Sequence, residues 1–461
     1  MTPLWTSAAI ADATGGSVCG DFAVTGVAFD SREVGPGDLF VALTGETTDG
    51  HRFLDQAFRQ GAAGALVSGG TDHPHVRVGD TMAGLEALAR AARARTRATI
   101  IGVTGSVGKT GTKEALAAAL ARAHPRAVHR SVKSYNNHTG VPLSLARMPA
   151  ASRFGVFEMG MNHPGELTAL TAMVRPHIAI VTAIAPAHTE FFPDESAIAD
   201  AKGEIFQGLE PGGTAIIPYD SPHRDRLIAH ARPHAGRIVT FGRDADADVH
   251  AVEVMPVANG GTFVSAVLGE RELSFTIAQP GDHWVSNALA VIAAVEAAGG
   301  DLGLAGLALG ELPGLPGRGA RFEVAVADGT ALVIDESYNA NPTSMRATLE
   351  VLGREPGRRV AVLGGMRELG EQSDAYHAAL ADPIGEAGIS RAILVGEEMA
   401  PLARALEGRI DFVHVADAAA ARDRLIAELT PGDAVLVKGS NGIGLAAVVA
   451  ALAKHAIGAG G

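Results

Sequence analysis

The chain has a single cysteine, Cys19, among 461 residues. An internal disulfide is therefore excluded, and a reducing compartment is consistent with that usage. Positive charge is scarce as well: 38 lysines and arginines stand against 51 acidic residues, for a formal net charge of −13. That balance argues against nucleic acid or an anionic membrane as the main partner, so any phosphate-bearing ligand must be held by local features. No apolar run reaches the length of a membrane span, and the opening Met1-Thr2-Pro3-Leu4-Trp5 holds no basic segment followed by an apolar core. A cytoplasmic chain without membrane insertion is expected. What is present is ordinary for a soluble globular protein, 47% hydrophobic and 19% charged residues, with 57 glycines that imply many tight turns. The length exceeds one core, and about three domains are expected.

One stretch organises the rest. Thr99 to Thr104 is the β-branched apolar run of a buried parallel strand, and Glu114 to Ala121 has helical composition. Between them runs Thr104-Gly105-Ser106-Val107-Gly108-Lys109-Thr110-Gly111. Gly105 and Gly108 permit backbone angles that turn N–H groups onto phosphate oxygens at the positive end of the following helix. Lys109 would reach the outer phosphates, and Thr110 would offer its hydroxyl to magnesium. The common phosphate-loop pattern has glycine where Val103 stands, and here Thr104 with Gly105 supplies the turn. ATP and Mg2+ are the ligands this implies; the alternative is a plain glycine turn with an exposed lysine, and the loop alone names no reaction.

The flanking segments divide the chain at about residues 97 and 313, giving units 1–96, 97–312 and 313–461. In the first, 22–27 and 38–43 read as strands and 53–58 as a short helix, with polar clusters at Asp30-Ser31-Arg32 and from Thr44 through Asp49-Gly50-His51. By themselves those clusters read as turn chemistry. In the second, Ser134-Tyr135-Asn136-Asn137-His138-Thr139 follows a strand and lies at the carboxyl edge where ligands gather in open α/β sheets. Glu158 and His188 each follow the end of an apolar strand, and their joint placement makes them metal-ligand candidates. Lys202, in a helical stretch, reads as a surface lysine. Asn259-Gly260 signals a hairpin, and His283 and Asn287 precede a helix expected from Ala288. The cluster Leu312-Pro313-Gly314-Leu315-Pro316-Gly317-Arg318-Gly319 is a linker, beyond which four apolar strands alternate with helical stretches, the pattern of a doubly wound parallel sheet.

Taken together, these motifs resemble the Mur ligases of bacterial cell-wall synthesis, and among them the MurF family. The resemblance rests on Asp30-Ser31-Arg32, Gly37 to Ala42, the phosphate loop, Tyr135-Asn136-Asn137 with Gly140-Val141-Pro142, Glu158, His188, Ala201 to Phe206, Asn287 to Ala290, Ser337-Tyr338-Asn339-Ala340-Asn341 and Lys438-Gly439-Ser440. The run from Ser337 to Asn341 and the segment Met366 to Gly370 separate this branch from its sisters, and the Asp-Asn-Pro-Arg signature of the sister that adds lysine or diaminopimelate is absent.

The resemblance implies three α/β domains: an N-terminal uridine-nucleotide domain, a central P-loop ATPase domain with a mostly parallel sheet, and a C-terminal Rossmann-like domain. It implies a monomeric ligase whose small-molecule substrates are UDP-N-acetylmuramoyl-tripeptide and D-alanyl-D-alanine, joined through an acyl phosphate. By the same resemblance, Lys109 stabilises the transferred phosphoryl, Thr110 holds one magnesium, Glu158 and His188 are ligands of a second near the acyl phosphate, and a carbamylated Lys202 faces that second metal. His283, Asn287, Arg318, Glu336 and Asn339 correspond to adenine-nucleotide contacts; Ser31, Arg32, Thr44, Asp49 and His51 correspond to uridine-nucleotide contacts, with Tyr135, Asn136, Asn137 and Thr139 also on the substrate side. Three positions depart from the family pattern: Gly111 for serine or threonine, Trp284 for asparagine and Gly365 for aspartate. A folate polyglutamylating ligase would lack the uridine-nucleotide unit, and a scaffold relative would have no reason to keep Lys109, Thr110, Glu158, His188 and Lys202.

Overall fold

The computed structural model describes residues 3–45, 48–187, 189–257 and 261–456. Three large sheets follow one another along the chain. The first has five strands in the order Ser17–Cys19, His75–Arg77, Gly64–Val67, Asp38–Val41, Gly26–Ala28, all pairings parallel except the first. Helix Thr81–Arg95 starts on an Asp80 cap and buries Leu85, Leu88 and Ala92. Those residues share one apolar cluster with Leu143 and Ala146 of helix Gly140–Ala146, so the first unit is seated on the second by ordinary core packing.

Among the described residues the central sheet has nine strands. Thr99–Thr104 is third from one edge, between Phe154–Glu158 and Ile178–Val181, both parallel to it, with Glu158 opposite Val103 and Val181 opposite Thr104. That register brings the carboxyl ends of three strands to one crevice, as expected of a parallel sheet buried on both faces. Helices Lys109–Ala123 and Asp282–Ala297 cover one face. Helices Glu166–Val174, Glu195–Gly203 and Arg224–Ala231 cover the other. At one edge, Val249–Pro256, Thr262–Leu268 and Arg271–Ile277 pair antiparallel in sequence, as the hairpin signal required; the turn residues Asn259 and Gly260 themselves lie outside the described residues.

The third sheet runs Ala320–Val326, Gly329–Glu336, Ala434–Lys438, Arg359–Gly364, Arg391–Val395, Asp411–Val415, parallel apart from its first pairing. All four expected C-terminal strands are present, with helices on both faces. One helix begins earlier than its composition suggests: Asp282, not Ala288, opens Asp282–Ala297, which puts His283 and Asn287 on its first two turns.

Candidate active site

The phosphate loop leaves the central strand at Gly105 (φ +148°) and enters its helix at Gly108 (φ +85°). Both angles favour glycine, and space demands it too: a Cβ at Gly105 would collide with Thr182 Oγ1, and one at Gly108 would stand 2.5 Å from Asn287 Oδ1. Ser106 N–H donates to the Ala183 carbonyl, and Thr182 Oγ1 donates to the Val107 carbonyl at 2.6 Å, so the loop is braced by the neighbouring strand end. Lys109 Nζ donates to the carbonyls of Gly105 at 2.6 Å and Ser106 at 3.3 Å. Burial lowers its pKa to about 8, with Glu158 opposing that shift and Arg318 adding to it.

Glu158 is the hub beside the loop. Its carboxylate is fully buried and accepts from Thr110 Oγ1 at 2.9 Å and from Asn136 Nδ2 at 2.8 Å. Lys113 Nζ, equally buried, lies 3.6 Å away while donating to the Lys133 carbonyl at 2.5 Å. Among the described residues no group of three or more His, Cys, Asp or Glu could hold a metal alone. A hard cation that keeps most of its ligands as phosphate and water needs less: a carboxylate and a hydroxyl from the chain suit magnesium. His188 lies outside the described residues.

Lys202 is fully buried on helix Glu195–Gly203, and its Nζ has no hydrogen-bond partner. Burial, reinforced by Lys109, pushes its pKa well below the ordinary lysine value. The surface reading is thus overturned. The sequence signal was its place at the same face as Ile198 and Ile205, four before and three after, an apolar stripe on which a lysine has a reason to be. Lys113, not singled out by composition, carries the same signal with Leu116 and Leu120.

The crevice between the second and third sheets encloses about 400 Å³. Gly108, Lys109, Gly111, His283, Trp284 and Asn287 line it from one side, and Arg318, Glu336, Tyr338, Asn339 and Lys438 from the other. Arg318 Nη2 bridges to Ser134 Oγ at 3.1 Å and stacks 4.2 Å from the Tyr338 ring centre. Burial lowers His283 to about 4, so its imidazole is neutral. Burial also raises Glu336 and lowers Lys438, whose ammonium is 3.5 Å from Glu336 and donates to the Asn339 carbonyl at 3.0 Å. Each would be costly alone, and the pair is held by mutual attraction.

In the first unit, Arg32 forks onto Asp30 and is largely exposed, while Ser31 is buried. Asp49 accepts from His51 N–H and Nδ1, and from Thr44 Oγ1 at 3.4 Å; Ser68 N–H donates to His51 Nε2 at 2.9 Å. Ser68 had no sequence signal. Asn137 accepts from the Thr139 and Gly140 amides and the Thr139 hydroxyl, as local turn chemistry would have it, whereas Tyr135 reaches back to Glu33 and Asn136 to Glu158. Of the three departures, two meet: Trp284 packs on Gly111. At the third, Glu398 covers the open side of Gly365, where a Cβ would stand 3.0 Å from Glu398 Cβ and 3.4 Å from its carboxylate oxygen.

Three family models match the chain: the Mur ligase family catalytic domain over 23–99, the Mur ligase middle domain over 103–295, and the glutamate ligase domain over 320–441. The chain belongs to the Mur ligase family. Within it, the chain is 35% identical to the UDP-N-acetylmuramoyl-tripeptide–D-alanyl-D-alanine ligase of Escherichia coli over 94% of this chain and 95% of that one, and 33% identical to the Bacillus subtilis ligase of the same name over 92% of each. Among solved structures, MurF from Acinetobacter baumannii superposes with a TM-score of 0.84 at 30% identity, covering 98% of this chain and 99% of that one. MurF from Thermotoga maritima in complex with ADP superposes with a TM-score of 0.76 at 26% identity, covering 94% and 98%.

Proposed function

We propose that this chain is the ATP-dependent ligase that adds D-alanyl-D-alanine to UDP-N-acetylmuramoyl-tripeptide in peptidoglycan precursor synthesis. The observation that carries the reading is the near-complete match, at 35% identity, to a ligase of that name. A carboxylate oxygen is a poor leaving group. Phosphorylation by ATP makes it a good one, after which the dipeptide amine attacks the acyl phosphate, the tetrahedral intermediate expels phosphate, and an amide remains.

Catalysis of this kind is positioning and charge neutralisation between anions. Lys109, relieved of its loop carbonyls, holds the transferred phosphoryl group. Thr110 would hold one magnesium ion and Glu158 with His188 a second, and the ions would neutralise phosphate oxygens. Lys113 keeps the Glu158 carboxylate aimed at Thr110. Lys202, a buried amine with no hydrogen-bond partner, adds CO2 with loss of a proton, and the carbamate would replace a potential cation with an anion able to serve the metal. His283, Asn287, Arg318, Glu336 and Asn339 hold the adenine nucleotide with the loop 104–111. Ser31, Arg32, Thr44, Asp49 and His51 hold the uridine nucleotide, and Tyr135, Asn136, Asn137 and Thr139 flank the muramoyl peptide. In this reading the domains divide near residues 97 and 313, and one chain in the cytoplasm is the working unit.

The test is ATP-dependent phosphate release with UDP-muramoyl tripeptide, with and without D-alanyl-D-alanine, together with product mass. Release that needs both, with a dipeptide-sized mass gain, is expected; release indifferent to both rejects the assignment.

A further inference from the structure

The loop that leaves strand Arg359–Gly364 is bonded on both sides. Toward its own sheet, Ser440 N–H donates to the Gly365 carbonyl at 3.1 Å and Arg367 N–H to Ser440 Oγ at 3.0 Å. Toward the central unit, Glu190 N–H donates to the Glu368 carbonyl at 3.2 Å and Thr189 Oγ1 to the Leu369 carbonyl at 3.1 Å. Glu368 adopts φ +62°, a left-handed angle that a non-glycine residue keeps only when its surroundings hold it there. What lies beneath the loop is His377, fully buried. Its Nε2 accepts from Met366 N–H at 2.9 Å and its Nδ1 donates to the Ser373 carbonyl at 2.7 Å. Both ring nitrogens are thus used, and the neutral Nδ1–H tautomer is required. Burial lowers the ring's pKa against the opposing pull of the Ser373 carbonyl, Glu398 and Asp374.

We infer that His377 is a positioning residue: by holding Met366 N–H it sets the loop through which the C-terminal sheet grips Thr189 and Glu190, and so sets where the incoming amine meets the central site. This rests on the ligase reading above. A residue acting this way affects the approach of the dipeptide more than that of ATP, because the residues assigned to the nucleotide above line the crevice and this loop does not.

Two variants separate this from simple core filling. Glutamine places an amide oxygen where Nε2 sits and keeps the acceptor for Met366. Asparagine reaches only as far as Nδ1, keeps the Ser373 bond and loses the acceptor. In the full-length enzyme, His377→Asn is expected to raise KM for D-alanyl-D-alanine about fivefold, the worth of one hydrogen bond, with KM for ATP and kcat little changed. His377→Gln is expected to stay near wild type. Hydrogen exchange, which needs no turnover, is expected to quicken in peptides spanning 366–370 and 189–190 in the asparagine variant only. If His377→Asn does not fold, Ser440→Ala loosens the same loop from its other side and is expected to show the same KM shift and exchange pattern. Equal effects of glutamine and asparagine, or unchanged exchange at 366–370 in both His377→Asn and Ser440→Ala, would overturn the inference. Should wild type show no dipeptide-dependent turnover, the ligase reading fails and the exchange comparison still decides the role of His377.

Discussion

Trp284 closes against Gly111: a Cβ on Gly111 would stand 3.0 Å from the indole Cη2 and 3.4 Å from Cζ2. Two positions that depart separately from the family pattern are therefore one packing solution, in which the indole takes the room that a serine or threonine side chain would use. Gly111→Thr is expected to cost about 1–3 kcal/mol of stability through overpacking. Adding Trp284→Asn should recover part of that, giving a coupling of about 1 kcal/mol or more in a denaturant-melting cycle. Strict additivity of the two changes would show that the contact carries no energy.

Lys109 titrates near 8 in the free protein because burial disfavours its charge. A bound phosphate favours the cation and raises that pKa, so ADP affinity should be constant below about pH 7 and fall as pH climbs through about 8. Calorimetric titration across that range checks it; a flat profile would mean that Lys109 does not meet phosphate. Lys109→Ala is expected to lower turnover by about 100-fold or more with a near-native melting temperature.

The buried, unpartnered Lys202 amine predicts a modified residue. Intact-mass measurement in bicarbonate should find a species heavier by one CO2 that disappears in Lys202→Ala. That variant should be inactive and partly restored by short-chain carboxylates, whereas full activity without them rejects the carbamate.

Glu33 ties the first unit to the second: it accepts from Tyr135 O–H at 2.9 and 3.0 Å and pairs with Lys133. The Lys133 carbonyl in turn holds Lys113 beside Glu158. Because Glu33 is partly exposed, Glu33→Ala should cost at most about 1 kcal/mol of stability. It should nevertheless raise KM for the uridine-linked substrate, and a cycle with Tyr135→Phe should show coupling of about 0.5–1.5 kcal/mol. An unchanged KM would dissociate this contact from substrate binding.

Much of the molecule was legible in one dimension. The strand and loop from Thr99 to Lys109, the four C-terminal strands and the strand end at Glu158 are contiguous signals, since apolar runs, glycines and caps act on neighbours in the chain. Helix Asp282–Ala297 began early because Gly281 and the burial of Trp284 and Val285 extend it past the polar residues that suggested a cap. Read from its own segment Lys202 is a solvated lysine, and Lys113 carries no flag, although the spacing of apolar residues around each already puts it on the inner face.

Sequence by itself determined the class of fold, the phosphate loop and some candidate side chains such as Lys109, Thr110 and Glu158, because those signals depend on composition, period and backbone freedom over a few residues. Only tertiary structure decided which of them act together. Thr110 meets Glu158, Trp284 fills the space over Gly111, and Met366 rests on His377, through contacts between residues 48, 173 and 11 positions apart. Such meetings depend on parallel register, on helices laid across the sheet and on water excluded between them. It is that exclusion which lowers the pKa of Lys202, neutralises His283 and gives each buried polar contact its weight.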